Sequence, residues 1–439
     1  MTRRTLALVL AAALAACLFS CAEAQEFSDY DTKCVRERTI SAGVEFAEYA
    51  LSPLDGPAGK AQRVFVLDVD PALNPSLGLT AAVGDGLVRG SRMRVTALAA
   101  QETAETGANV IAAVNGDFFD TASGGPMGYM MRDGEWIVLG EFYDGWAVGM
   151  TGDGRAIVGQ PRASLSLSAA RGEKTLLSNV GIDALNASRA DVPASKAAPS
   201  NVLTARRDNE LVLYTPAYAK KTYAQDGGVE VLIRTDQALR SGSVVSGVVE
   251  RINGEDVSTK KGTLKIPQGM AIEQGTMVLS GVGEGARSLK ALEIGDTVKI
   301  TCAAGEAFDQ AVTVLGGGRP DGGPLLVFEG MQAQIDMQLA DDASYFYPRN
   351  PRTVFGLRAD GTWFLMVIEG NRSGSYGMTT EQAGRAALDL GAWMAVNLDG
   401  GPSSAMAVRL KKRLSLVTNT TGSGSETPVG SALLLTDGR

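Results

Sequence analysis

Two stretches place groups able to do chemistry at the ends of apolar runs. "AWMAVNLDGGPSS" (Ala392–Ser404) ends in Asn397 and Asp399, followed by Gly400, Gly401, Pro402 and the hydroxyls Ser403 and Ser404. "GANVIAAVNGD" (Gly107–Asp117) runs into Asn115, Gly116 and Asp117. The chain of 439 residues has no histidine, which excludes Ser-His-Asp and Cys-His triads, His-ligated zinc and imidazole acid–base chemistry. Any catalysis must rest on carboxylates, Arg, Lys, Tyr, amides, hydroxyls or a hard cation. A strand-end carboxylate can activate water or stabilise a cationic carbon. An amide beside it can orient it or bind a hydroxyl, and glycine lets the backbone approach a ligand closely. Asn, Asp and Gly are also common turn residues; that accounts easily for one such site and less easily for two that match.

The elements that must position these groups share one plan. "MTTEQAGRAALDLG" (Met378–Gly391) predicts a helix. Thr379 caps it and Gln382 completes a capping box. Ala383, Ala386, Ala387 and Leu390 form one apolar face, and Gly391 is the stop. A strand then leads to Asn397. The segment Thr96–Asp120 repeats this order: a capped helix, Gly107, an apolar strand, then Asn115. Elsewhere short strand-like runs recur: 62–71, 210–216, 229–235, 275–281, 296–301 and 362–370, separated by Gly, Asp, Asn and Pro clusters. With 53 glycines, tight turns and strands are expected over long helices. The expectation is an α+β fold: one large β-rich domain over 62–437, in which two helix–Gly–strand units supply the site. A polar, weakly structured lead-in is expected over 25–61, and 187–200 reads as a loop of linker-like composition.

The first 24 residues predict an export signal. Arg3 and Arg4 precede an apolar core, Leu6–Ser20, and "AEA" (Ala22–Ala24) is a small-residue cleavage site. "LAAC" (Leu14–Cys17) also fits a bacterial lipobox, so a lipid anchor on Cys17 stands beside simple cleavage before Gln25. Beyond the signal only Cys34 and Cys302 remain, and an exported setting allows a disulfide between them. The formal charge of −8, with no basic run longer than Lys411–Arg413, argues against nucleic acid as a partner.

The block Asn350–Met406, "NPRTVFGLRADGTWFLMVIEGNRSGSYGMTTEQAGRAALDLGAWMAVNLDGGPSSAM", resembles the signature of the phosphodiester glycosidase family. "NGDFF" (Asn115–Phe119) resembles that family's upstream N-[GA]-G-[FY]-F, and "GGGRPDGGPLLVFEG" (Gly316–Gly330) its Gly-rich strand lead. Three positions depart from the pattern. Asp117 stands where many relatives have Gly, Pro402 replaces a third Gly, and Thr427 lies where a basic residue is common.

The resemblance implies hydrolysis of a sugar-1-phosphodiester of the GlcNAc-1-phosphodiester type at the anomeric carbon. The phosphate is already a good leaving group, so the main needs are a carboxylate and a phosphate-holding set. Asp399 is the candidate carboxylate. Asn397 and Asn115 are candidates to orient it or to bind sugar hydroxyls, and Glu369 and Glu381 are second-carboxylate candidates. Glu381 also fits as a first-turn helix acid. Arg352, with Thr353 beside it, is the candidate phosphate clamp. Gly400, Gly401, Ser403, Ser404, Asp117 and the helix start at Thr379 complete the expected substrate-binding set, and Arg372 reads as a solvated loop charge. No catalytic metal or other cofactor is assigned. Carboxylate and amide oxygens are calcium ligands, which leaves a structural calcium ion as an option, although no EF-hand-type spacing occurs. The expected partner is a phosphoglycan or sugar-1-phosphodiester. Two other readings fit the same residues: a non-catalytic exported glycan-binding or envelope protein, and a phosphodiesterase that cuts at phosphorus.

Overall fold

The computed structural model describes residues 25–54, 60–121, 123–140, 145–187, 208–222, 228–253, 257–259, 262–264, 269–318, 325–333, 348–420 and 424–438. The signal with Cys17 and most of the loop 187–200 lie outside the described residues. The described part is mostly β-sheet with few helices, a β-rich α+β fold as its strand-like runs predict. All six quoted runs contain strands.

One eight-stranded sheet carries the Asp399 end. Its order is Tyr30–Ser41, Val44–Pro53, Gln62–Val69, Trp363–Ile368, Arg352–Leu357, Met394–Asn397, Leu325–Phe328 and Met331–Gln332. All neighbours in it are antiparallel. The stretch 25–61, expected as an unstructured lead-in, therefore contains its first two strands. The run YDTKCVRERTIS hides this because Tyr30–Ser41 is an edge strand, where charged side chains are tolerated and block further pairing. Its partner Val44–Pro53 buries Phe46 and Leu51.

A five-stranded antiparallel sheet carries the Asp117 end. Its order is Ser415–Leu416, Met406–Val408, Val110–Asn115, Ser431–Asp437 and Leu77–Val83. Every residue of Val110–Asn115 is buried. A second five-stranded sheet, containing Tyr129–Arg132 and Ala311–Gly316, borders this one. Strands between Ser164 and Ala303 make another eight-stranded sheet. One apolar cluster joins side chains from all four of these sheets, including Val114, Leu315, Val396, Met406, Tyr214 and Leu433. Cys34 and Cys302 sit in different eight-stranded sheets and are both free thiols, so the expected disulfide is not formed.

Both predicted helices form, with different caps. In Thr380–Asp389 the Thr379 hydroxyl accepts from Gln382 N–H, and the Gln382 side chain accepts from Thr379 N–H, a complete capping box. Helix Val95–Thr106 has no capping side chain of its own. The carboxylate of Glu426, 330 residues along the chain, accepts from both the N–H and the hydroxyl of Thr96 instead. It supplies negative charge to a helix start that lacks any. Among the described residues no helix is long and apolar enough to cross a membrane.

Candidate functional site

The two Asn-x-Asp strand ends come from different sheets and meet. Asp399 N–H donates to Gly116 O at 3.0 Å. Asn115 Nδ2 donates to Asp399 O at 2.7 Å. Asn115 Oδ1 accepts from the Thr353 hydroxyl at 2.6 Å and from Ala405 N–H at 3.1 Å. The Asn115 amide is fully buried, and its remaining N–H lies 3.4 Å from Gly116 O. All four of its hydrogen-bonding positions are taken. Of the two roles open to Asn115, orienting Asp399 is the one the geometry fills, and contact with a sugar hydroxyl is not. Thr353, expected among substrate-binding groups, is likewise fully buried and bonded to Asn115.

Asp399 itself is half-buried, with Oδ1 accepting from Gly400 N–H at 2.8 Å. Asn397 is buried and its amide donates to Leu398 O at 2.8 Å, which stiffens the peptide just before Asp399. Leu398 N–H bonds Thr353 O and Gly401 N–H bonds Pro351 O, so the turn is anchored on the neighbouring strand. Pro402 opens the short 3-10 turn Gly401–Ser403. Ser403 and Ser404 follow in the buried part of this turn, and the fully buried Ser404 hydroxyl has no hydrogen-bond partner among the described residues.

Asp117 lies deeper than Asp399. It is 3 % exposed. Its N–H donates to Ser431 Oγ at 3.2 Å, and Gly116 N–H donates to Ser431 O at 2.8 Å. Glycines wall its carboxyl. A Cβ on Gly128 would fall 2.0 Å from Asp117 Oδ2, and one on Gly318 would fall 2.7 Å from it. Burial pushes the Asp117 carboxyl up to about 7, and the nearby charge of Asp399 adds to that rise. The backbone N–H groups of Phe118, Gly318 and Gly128 pull the other way, yet none makes a well-formed hydrogen bond to Oδ2. The site thus holds two carboxyls at different depths, an arrangement that separates their protonation states.

Several residues singled out in the sequence do other work. Arg352, read as the phosphate clamp, is fully buried. Its Nε donates to Met378 O at 3.0 Å and its Nη2 to Pro348 O at 3.1 Å, so the fork holds two loop carbonyls. Thr379 has its hydroxyl and N–H taken by the capping box. Glu369 is 1 % exposed; one carboxylate oxygen pairs with Arg372 Nη2 and the other accepts from Asn419 N–H at 2.5 Å. Burial raises its carboxyl, opposed by the Asn419 amide and Arg372. Arg372, read as a solvated charge, is therefore half-buried and ion-paired. Glu369 locks a loop to the segment Thr418–Thr420, whose Thr420 hydroxyl in turn bonds Ser404 O at 2.5 Å. The carboxyl brought under the charge of Asp399 is Asp117 rather than Glu369. Glu381 is exposed and pairs with Arg385 at i,i+4, as a first-turn helix acid does. The residues the sequence did not point to are Gly128, Gly318 and Ser431. The triple glycine Gly316–Gly318 was a visible signal for the wall, although nothing near it named Asp117 as its neighbour. Among the described residues no three of His, Cys, Asp or Glu come together as a metal site.

A β-rich fold in which two Asn-x-Asp strand ends converge on a pair of carboxyls defines a carboxylate-centred site without imidazole. Residues 246–436 match the phosphodiester glycosidase family, a hydrolase family. The matched span includes Asp399 and its turn; Asn115 and Asp117 lie outside it, and it is shorter than the 62–437 expected from the motifs. Solved structures are similar over nearly the whole chain. A hypothetical protein from Synechocystis is 17% identical with a TM-score of 0.66, covering 90% of this chain and 62% of that one. The chain thus spans under two thirds of that protein. A protein from Burkholderia pseudomallei described as exported is 18% identical with a TM-score of 0.68, covering 93% and 96%. These identities establish a common fold. The zebrafish N-acetylglucosamine-1-phosphodiester alpha-N-acetylglucosaminidase catalytic domain, auto-inhibited by its pro-peptide, aligns at 14% identity over 95% and 92%, with a looser TM-score of 0.44. No curated protein sequence matches.

Proposed function

We propose that this protein is an exported glycosidase that hydrolyses the sugar–phosphate bond of a sugar-1-phosphodiester, of the GlcNAc-1-phosphodiester type, within a glycan or glycolipid. The observation that carries this reading is the placement of Asp399. Its carboxylate is partly open to solvent, while the peptide on each side is fixed by Gly116 O and the Asn115 amide. A pre-set carboxylate of this kind takes a proton from an attacking water as the water oxygen bonds to the anomeric carbon. The bond from that carbon to the phosphate oxygen then breaks, and the phosphomonoester leaves without needing a strong acid. The family match over 246–436 supports the same reaction class. Export is proposed from the leader-like composition of residues 1–24, with either cleavage before Gln25 or a lipid anchor on Cys17.

Hydrolysis of a GlcNAc-1-phosphodiester by the full chain in oxygen-18 water tests the proposal. Label in the released sugar is the expected result. Label in the phosphate would make the protein a phosphodiesterase, and binding without turnover would make it a glycan-binding protein.

A further inference from the structure

Resting on the glycosidase reading above, we propose that Asp117 is the general acid of this site. Its proton passes to the leaving oxygen, so the enzyme also accepts glycosides whose leaving group is an alcohol or phenol rather than a phosphate. Three features of the fold place it in that role. Asp117 and Asp399 end matching strand units from two sheets, and the backbone bond from Asp399 N–H to Gly116 O joins the two ends directly. Asp117 Oδ2 is buried and has no hydrogen-bond partner among the described residues. A neutral carboxyl there carries a donor that the protein leaves unused, which is unfavourable unless a ligand oxygen takes it up. The wall around Oδ2 is glycine backbone at Gly128 and Gly318, so no side chain fills the space next to it.

Asp399 is the charged group that faces Asp117 among the described residues; the other neighbours are the Ser431 hydroxyl and the amides of Phe118, Gly128 and Gly318. A negative neighbour and burial both favour a carboxyl that keeps its proton. This is how one carboxyl of a pair becomes the acid while the other stays a base. In the reaction, water bonds to the anomeric carbon and gives its proton to Asp399. The bond to the leaving oxygen breaks with its electron pair on that oxygen, which receives the Asp117 proton. Asp399 then returns a proton to solvent and Asp117 takes one back. A phosphate needs little of this help, whereas an alkoxide needs all of it.

The test is a series of aryl N-acetylglucosaminides of both anomers, with phenols of graded acidity, beside a GlcNAc-1-phosphodiester. kcat/KM is measured for the wild-type chain, Asp117→Asn and Asp117→Ser across pH 5 to 9. The wild type is expected to depend weakly on phenol acidity and to lose aryl-glycoside activity above neutral pH. Both variants are expected to lose that alkaline limb and to depend steeply on phenol acidity, with a loss of about 100-fold to 10,000-fold for the least acidic phenol. Wild-type cleavage of the phosphodiester with no cleavage of any aryl glycoside would overturn this inference and leave the glycosidase reading standing. Equal slopes in wild type and variants would do the same. Cleavage of neither substrate would remove both.

Discussion

Replacing Asp117 with Asn should make the protein more stable, and only at higher pH. The Asp117 carboxyl titrates near 7 in the fold against 3.8 for an ordinary aspartate. Below about pH 4 the group is protonated in both the folded and unfolded chain, and it contributes nothing that depends on pH. Between roughly 4 and 7 the unfolded chain releases the proton while the fold retains it, so folding becomes less favourable as pH rises. Above about 7 both forms are ionised and the penalty is constant. At roughly 1.4 kcal/mol for each tenfold change in proton affinity, the full penalty is about 4 kcal/mol. Asn has the same shape and no titration, so Asp117→Asn should match the wild type near pH 4 and exceed it by about 4 kcal/mol near pH 8. Urea unfolding of both proteins at a series of pH values measures this. The difference between the two at each pH cancels the buried acids raised elsewhere, Glu102, Glu135 and Glu369, and the lowered ones, Asp85, Asp296 and Asp437. A difference that does not change with pH, or a wild type that gains on the variant as pH rises, would refute the reasoning.

Three further outcomes follow from the same geometry. Asp399→Asn should lower turnover of a sugar-1-phosphodiester by about 100-fold or more with an unchanged melting temperature, because Asn preserves the contact to Gly400 N–H and removes the charge; near-wild-type turnover would leave Asp399 as a turn residue only. Arg352→Lys should destabilise by about 1–3 kcal/mol, since an ammonium cannot hold both Met378 O and Pro348 O, with KM little altered; a raised KM at unchanged stability would restore the phosphate-clamp role. Gly128→Ala should cost at least about 2 kcal/mol, because the new carbon would fall 2.2 Å from Gly316 O as well as against Asp117; a melting curve superimposable on the wild type would show that this wall is soft.

Local pattern sufficed for the parts of the fold that local chemistry decides. The Thr379 capping box, the apolar face of its helix and the strand run into Asn397 are all set by neighbours in sequence. The edge hairpin 30–53 was not legible, because an edge strand with charges on its open side reads as polar coil. Arg352 misled for a related reason. In sequence an arginine beside a strand start looks like an available fork; only the packed loops at 348 and 378 show that carbonyls already occupy it. The cap of the Val95 helix was likewise invisible, since Glu426 arrives from the far end of the chain.

The two Asn-x-Asp units show most clearly where sequence stops being informative. Their local plan is the same, yet their carboxyls have different environments because the sheets deliver them to different depths. Val110–Asn115 has neighbours on both sides and is wholly buried, so its extension carries Asp117 inward, against Gly128 and Gly318. Met394–Asn397 runs into a Gly-Gly-Pro turn pinned to Pro351, which keeps Asp399 partly in water. Depth decides which carboxyl keeps its proton, and depth is fixed by strand order across the whole chain, from Leu77 to Asp437. Had Asp117 been glycine, the same convergence would have left Asp399 alone, which suffices for a phosphate leaving group. The added carboxyl therefore changes which leaving groups the site can release and leaves the position of the attacking water to Asp399.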